Sequence, residues 1–306
     1  MTLGGKARSR SRADSACRRK AGRDNVETSL NGNGPPKLDQ SEPAFQDESS
    51  KLEARMTPTL KGMRCAVLGA TSGIGRATAL SLARSGADVI VHGRNPEAAG
   101  EVVNEARNLG VRAEAILADL GTRAEGDHLL EHAWNLWDGL DAWLHFAGAD
   151  VLTGETADLP FDAKLDLLWE VDVAATIRLC REIGRRMRER GRGAIVTMGW
   201  DQAETGMEGD SGEFFAATKG AIMAFTRSLA MSLAPSVRVN NVAPGWIKTA
   251  WGERAPREWR ERVLRETPLG RWGTPGDVAR VACFLVGPEA EFLTGQTYRV
   301  NGGAVR

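Results

Sequence analysis

The chain has 306 residues, 42% of them hydrophobic, with 40 basic against 40 acidic side chains, so its formal net charge is zero. That size and apolar content suit one globular domain with a large core, and the charge balance offers nothing to nucleic acid. Cys17, Cys65, Cys180 and Cys283 are scattered without a C-x-x-C pair, which argues against a zinc site or a disulfide framework and for a reducing, cytoplasmic setting, and no apolar run is long enough to cross a bilayer.

Residues 1–24 carry eight Lys or Arg against two Asp, and the next thirty turn acidic and rich in Ser, Asn, Gly and Pro. Neither half can bury a core, so residues 1–55 are expected to form a disordered, functionally silent extension. The basic, Ser-rich start also has a transit-peptide composition, without an apolar helical face. Translation beginning at Met56 is an alternative, because M-T-P-T-L-K-G-M-R-C-A-V-L-G leads directly into the first strand.

From Arg64 onward, β-rich runs alternate with helical patterns. Strands are expected at 64–68, 87–92, 112–117, 140–145, 193–198, 236–241 and 297–300, and helices at 73–85, 96–109, 123–136, 161–190, 213–233 and 275–286. This is the pattern of an α/β domain over 56–306: a single Rossmann-type, doubly wound parallel sheet of about seven strands with helices on both faces. Such sheets bind ligands outside the carboxyl ends of their strands.

At the first of those ends stands V-L-G-A-T-S-G-I-G. Gly69 permits a tight turn, Gly73 and Gly75 let a pyrophosphate and the sheet approach the backbone, and the helix starting there aims its amides at phosphate, with Thr71, Ser72 and Ile74 in the same loop. The second strand ends V-I-V-H-G-R-N, where an NAD enzyme is expected to offer an acid to the ribose hydroxyls. Here Arg94 takes that place. A guanidinium pairs well with a 2′-phosphate, which favours NADP(H) over NAD(H).

Further along come A-D-L at 118–120, L-D-A-W-L-H-F-A-G at 140–148, K-G-A at 219–221, V-R-V-N-N-V-A-P-G-W-I-K-T at 237–249, and N-G-G near the end. With the glycine motif, in this order and spacing, the chain from about Leu60 to Gly303 resembles the short-chain dehydrogenase/reductase family, in its 3-oxoacyl-carrier-protein reductase-like branch. The resemblance implies that Asp119 and the adjoining Leu120 lie at the adenine, Ala147 and Gly148 pass beside the adenosine ribose, and the loop of Pro244, Gly245, Ile247 and Thr249 closes over the nicotinamide. It also implies that Lys219 holds the nicotinamide ribose, that the substrate is a small carbonyl or alcohol, and that the protein forms a homodimer or homotetramer through the helices at 161–190 and 213–233.

The departures fall where proton chemistry is expected. In the family a tyrosine stands four residues before the lysine; here that position is Phe215, and the chain's one tyrosine is Tyr298. The run Met198–Glu204 contains no hydroxyl where a serine is implied, and Trp200 or a close neighbour stands in its place. Asp172 matches the helix asparagine, and His145 and Phe146 replace the two asparagines before Ala147. Two explanations compete. In one, a carboxyl group has taken over proton transfer: Asp201 first, then Asp172, then Glu204 or Glu213. In the other, the domain is a catalytically inactive NADP(H)-binding sensor or scaffold. His128 and His132 share a helix face without a third ligand, so no metal is expected. Trp246, Trp251, Trp259 and Trp272 suggest an aromatic wall for a flat or apolar substrate, or packing among neighbouring helices.

Overall fold

A computed structural model describes residues 60–305 of the protein; the readings made for residues 1–55, for Met56 and for Cys17 fall outside them. Its strands are β1 (Arg64–Leu68), β2 (Asp88–Gly93), β3 (Ala113–Leu117), β4 (Ala142–His145), β5 (Gly193–Met198), β6 (Val237–Pro244) and β7 (Thr297–Val300). They pair, all parallel, in the order β3-β2-β1-β4-β5-β6-β7. Central strands such as R-C-A-V-L read as nearly continuous apolar runs because both sheet faces are covered.

The helices are α1 (Gly73–Arg84), α2 (Pro96–Asn108), α3 (Arg123–Leu136), α4 (Phe161–Leu168), α5 (Ala175–Glu189), α6 (Asp210–Leu233), α7 (Ala250–Arg254), α8 (Arg257–Glu266) and α9 (Pro275–Val286). One core unites Val67, Val89 and Val91 with Leu82 of α1, Val102 of α2 and Val278 of α9. The second unites Ala66, Ile90 and Trp143 with Leu129 of α3, Ile183 of α5 and Leu229 of α6. Strand and helix periodicity therefore place the layers as expected, with β6 running on to Pro244 and α6 beginning at Asp210. Among the described residues no helix is long and apolar enough to cross a membrane.

Two features depart from the periodic reading. The helix expected over 161–190 continues without a break but contains a π segment, Trp169–Ala174, between α4 and α5. Helices α7 and α8 fall in a stretch with no expected element, since Arg and Glu dominate it and α8 buries only Val263.

Local signals explain the ends. Asn95 caps α2 by accepting from the Ala98 amide at 3.1 Å, with Pro96 at the first helical position. Thr274 and Asp277 form a reciprocal capping box at α9.

Candidate active site

The strand order reverses between β1 and β4, and there the glycine turn meets the end of β4. Gly69 has φ +74°, and a Cβ on it would lie 2.7 Å from the Ala147 Cα. A Cβ on Gly75 would lie 1.9 Å from the Gly69 carbonyl oxygen, so only glycine lets α1 start this close to the strand. Ser72 at the α1 N-cap makes no side-chain capping bond and the first turn holds no acid, which leaves the amides open to an anion. This cradle fits a dinucleotide pyrophosphate.

His92, at the carboxyl end of β2, braces the turn. Its Nδ1 accepts from the Gly69 amide at 3.2 Å, and its Nε2 lies 3.1 Å from the Ala118 carbonyl, so the neutral ring with the proton on Nε2 satisfies both. Burial pushes His92 down to about 4, which keeps it neutral at physiological pH. A histidine at the tip of the otherwise apolar run V-I-V-H was the sequence signal for this strut. Two residues on, Arg94 is exposed and enters no ion pair among the described residues. Asp119 turns the chain after β3, accepting from the Gly121 amide at 3.0 Å, whereas the Leu120 side chain belongs to the core.

The opposite wall is the segment after β6. Ile247 is buried and pairs with Gly273 in an isolated bridge, and the Thr249 amide donates to the Ile247 carbonyl at 2.8 Å. Thr249 reaches the glycine turn, because a Cβ on Gly73 would lie 3.5 Å from its Cγ2. The first and the sixth strand ends thus close on one cleft.

At the back of that cleft, Lys219 Nζ donates to Asp172 Oδ2 at 2.7 Å. The other Asp172 oxygen accepts from the Ala149 amide at 2.7 Å. Asp172 is buried within the π segment, a helical irregularity often found at functional sites. Its carboxylate lies flat against the backbone of Gly148, where a Cβ would come within 2.8 Å of Oδ2. His145 is buried nearby, with neither ring nitrogen hydrogen-bonded among the described residues, and burial pushes it down to about 3.

Phe215, one turn before Lys219 on α6, meets Trp200 edge to face at 6.3 Å between ring centroids. Behind it stand Phe214 at 4.8 Å and, beyond that, Phe161 of α4. The two positions where hydroxyls were implied therefore form one continuous aromatic surface. Tyr298 sits on β7, packed against the first core.

Asp201 lies against the loop after β6. It is fully buried, its Oδ2 accepts from Asn301 Nδ2 at 3.1 Å, and a Cβ on Gly245 would lie 2.9 Å from the same oxygen. Its Oδ1 has no hydrogen-bond partner among the described residues. Burial raises its carboxyl to about 6. The carboxylate thus supports the loop after β6, and none of its hydrogen bonds goes to Lys219 or Asp172. Glu204 pairs with Arg299, and Glu213 lies exposed on the first turn of α6.

Of the tryptophans proposed as an aromatic wall, Trp246 packs on Trp259 at 5.4 Å and on Trp272 at 6.5 Å, forming a cluster that ties the loop to α8. The rings of His128 and His132 meet at 6.1 Å on α3, and no group of three His, Cys, Asp or Glu among the described residues could hold a metal.

Comparisons with known proteins agree with this architecture. Residues 69–305 match the family profile described as enoyl-(acyl carrier protein) reductase. The chain is 35% identical over 251 residues to a 3-oxoacyl-acyl-carrier-protein reductase of Aquifex aeolicus, spanning 80% of this chain and 98% of that one. It is also 35% identical to a cyclohexanol dehydrogenase of Rhodococcus, covering 80% of this chain and 96% of the relative. Among solved structures, a 7α-hydroxysteroid dehydrogenase in complex with NADH and 7-oxo glycochenodeoxycholic acid superposes with a TM-score of 0.74 at 31% identity, over 80% of this chain and 95% of the other. With the seven-stranded parallel sheet, the glycine turn and the lysine of α6 in place, the chain belongs to the short-chain dehydrogenase/reductase family.

Proposed function

We propose that the protein is an NADP(H)-dependent oxidoreductase acting on a small-molecule substrate, with Trp200 and Phe215 in place of the family's serine and tyrosine. The observation that carries this reading is Lys219, held by Asp172 at the back of a cleft walled by the glycine turn and the loop at Thr249. The bound nicotinamide supplies or accepts the hydride. Gly69, Thr71, Ser72, Gly73, Ile74 and Gly75 would seat the pyrophosphate; Asp119, Leu120, Ala147 and Gly148 would line the adenosine. Pro244, Gly245, Ile247 and Thr249 would cover the nicotinamide, with Asp201 and Asn301 fixing the loop from beneath. Asp172 orients Lys219.

Arg94 selects the cofactor. A charge-assisted, bidentate contact to a 2′-phosphate contributes about 1.5–3 kcal/mol, or about 10- to 100-fold in affinity. NADPH is therefore expected to bind that much more tightly than NADH, and Arg94→Ala to erase the difference. Calorimetric titration tests both points, and equal affinities in the natural protein would remove the assignment.

A second reading, a cofactor-binding sensor or scaffold, is favoured by the Trp200–Phe215 contact, which leaves no hydroxyl at either position. It predicts cofactor binding without turnover of any substrate.

Assembly is expected to follow the relatives' fold. The exposed groove between α5 and α6, lined by Arg181, Arg185, Phe225, Ser228 and Ser232, is the surface we assign to a second copy. Light scattering at micromolar concentration should give a dimer or tetramer; a monomer throughout would exclude it.

A further inference from the structure

Reduction of a ketone leaves an alkoxide that must take up a proton, and the donors that the family resemblance implies are a tyrosine and a serine hydroxyl. Here both places carry rings, Trp200 and Phe215, which remain partly exposed. Of the hydroxyls on the neighbouring segments, Thr218 donates to the Phe214 carbonyl at 2.9 Å, and Thr153 and Thr156 bond to Asp150. A reaction that needs no proton at the heteroatom suits such a site.

Aromatic faces and carboxylates also favour a positive charge. The two segments that rise from the carboxyl ends of β4 and β5 are strongly acidic. Residues 149–172 hold seven Asp or Glu and one Lys, and residues 201–213 hold five Asp or Glu with no Lys or Arg. Some are neutralised: Asp172 by Lys219, Glu204 by Arg299, and Glu208 by Arg262. Glu155, Asp158, Asp162, Asp166, Glu170 and Glu213 are exposed and enter no ion pair among the described residues. The helices α7 and α8 do not cancel this, since their five arginines stand against four glutamates, and Arg257 and Arg262 pair with Glu261 and Glu266.

We infer that the substrate of this site is a flat cation whose reacting bond is C=N⁺, an iminium, reduced to an amine; this rests on the NADP(H)-oxidoreductase reading above. The balance is complete without an acid. The iminium carbon gains a hydride from the reduced nicotinamide, the C–N π pair becomes the nitrogen lone pair, the amine leaves neutral, and the positive charge passes to the oxidised cofactor. Trp200 and Phe215 hold the cation against a π face, and the acidic segments raise its local concentration.

The test uses the full chain with NADPH or NADH, first confirming cofactor binding by calorimetry. Turnover is then followed by loss of dihydronicotinamide absorbance with N-methyl-3,4-dihydroisoquinolinium and with its neutral ketone counterpart, α-tetralone. The iminium should be reduced at least about 10-fold faster. Independently of turnover, N-methylisoquinolinium should bind the oxidised-cofactor complex more tightly than naphthalene does, and less tightly as salt rises. Trp200→Leu and Phe215→Leu should each weaken that binding about 3- to 30-fold. If the cofactor binds but the iminium is not reduced, or the ketone is reduced as fast, the inference is overturned and the cofactor site stands. If neither cofactor binds, the oxidoreductase reading fails and takes the inference with it.

Discussion

Lys219→Met is expected to lower the unfolding free energy at neutral pH by about 3–5 kcal/mol, the usual cost of leaving one partner of a buried ion pair without the other. The pair is not a surface contact: the Lys219 and Asp172 side chains are 12% and 2% exposed, so water screens it little. Its Coulomb attraction offsets the desolvation of both charges, and deleting the ammonium leaves only the cost. Asp172→Asn in the same chain should recover most of the loss, because an amide needs no counter-charge and its oxygen still accepts from the Ala149 amide. Urea unfolding of the two variants beside the natural protein measures this directly. A single-variant loss below about 1 kcal/mol would mean that solvent reaches the pair, and that Lys219 is not fixed in place by Asp172.

The pair was legible in the sequence only as two residues, not as a bond. Lys219 and Asp172 lie on different helices, and nothing in helical period says that they meet. The π segment that carries Asp172 was hidden for a related reason. A widened turn keeps apolar residues at roughly the spacing of an ordinary helix, so W-E-V-D-V-A reads as uninterrupted. The sheet, by contrast, was readable throughout: its central strands are short apolar runs bounded by turn residues and buried on both faces. The glycine turn was readable because its residues answer to steric demands that Gly75 alone makes plain. Helices α7 and α8 were not, because so little of their surface is buried that polar residues set their pattern.

Asp201 shows a further limit. The alternation of a strand predicts which face a side chain takes, but Asp201 lies past the last residue of β5, in a short 3₁₀ turn. Its direction is set instead by Asn301 and Gly245, residues on distant parts of the chain. A carboxyl group chosen for its position beside the implied serine thus belongs, by its hydrogen bonds, to the floor of the loop. The aromatic pair was half legible: the loss of two hydroxyls could be read, while the contact between Trp200 and Phe215 that makes them one surface required the fold.

That floor makes stability depend on pH in an unusual direction. Asp201 titrates near 6 in the folded protein, raised mainly by burial, against an ordinary value of 3.8. Between those values the folded state keeps a proton that the unfolded chain has released. Stability is therefore fullest below the unfolded value and falls as pH rises through 6, by about 3 kcal/mol for this one group. Asp201→Asn should remove that slope. The amide oxygen still accepts from Asn301 Nδ2, and an uncharged group replaces the carboxylate oxygen that has no partner. The variant is expected to match the natural protein within about 1 kcal/mol near pH 4 and to exceed its stability by about 1–3 kcal/mol at pH 8. Denaturant unfolding at the two pH values decides it. Parallel pH profiles for the two proteins would show that Asp201 is ionised at no cost, and that the loop after β6 rests on a solvated carboxylate rather than a buried one.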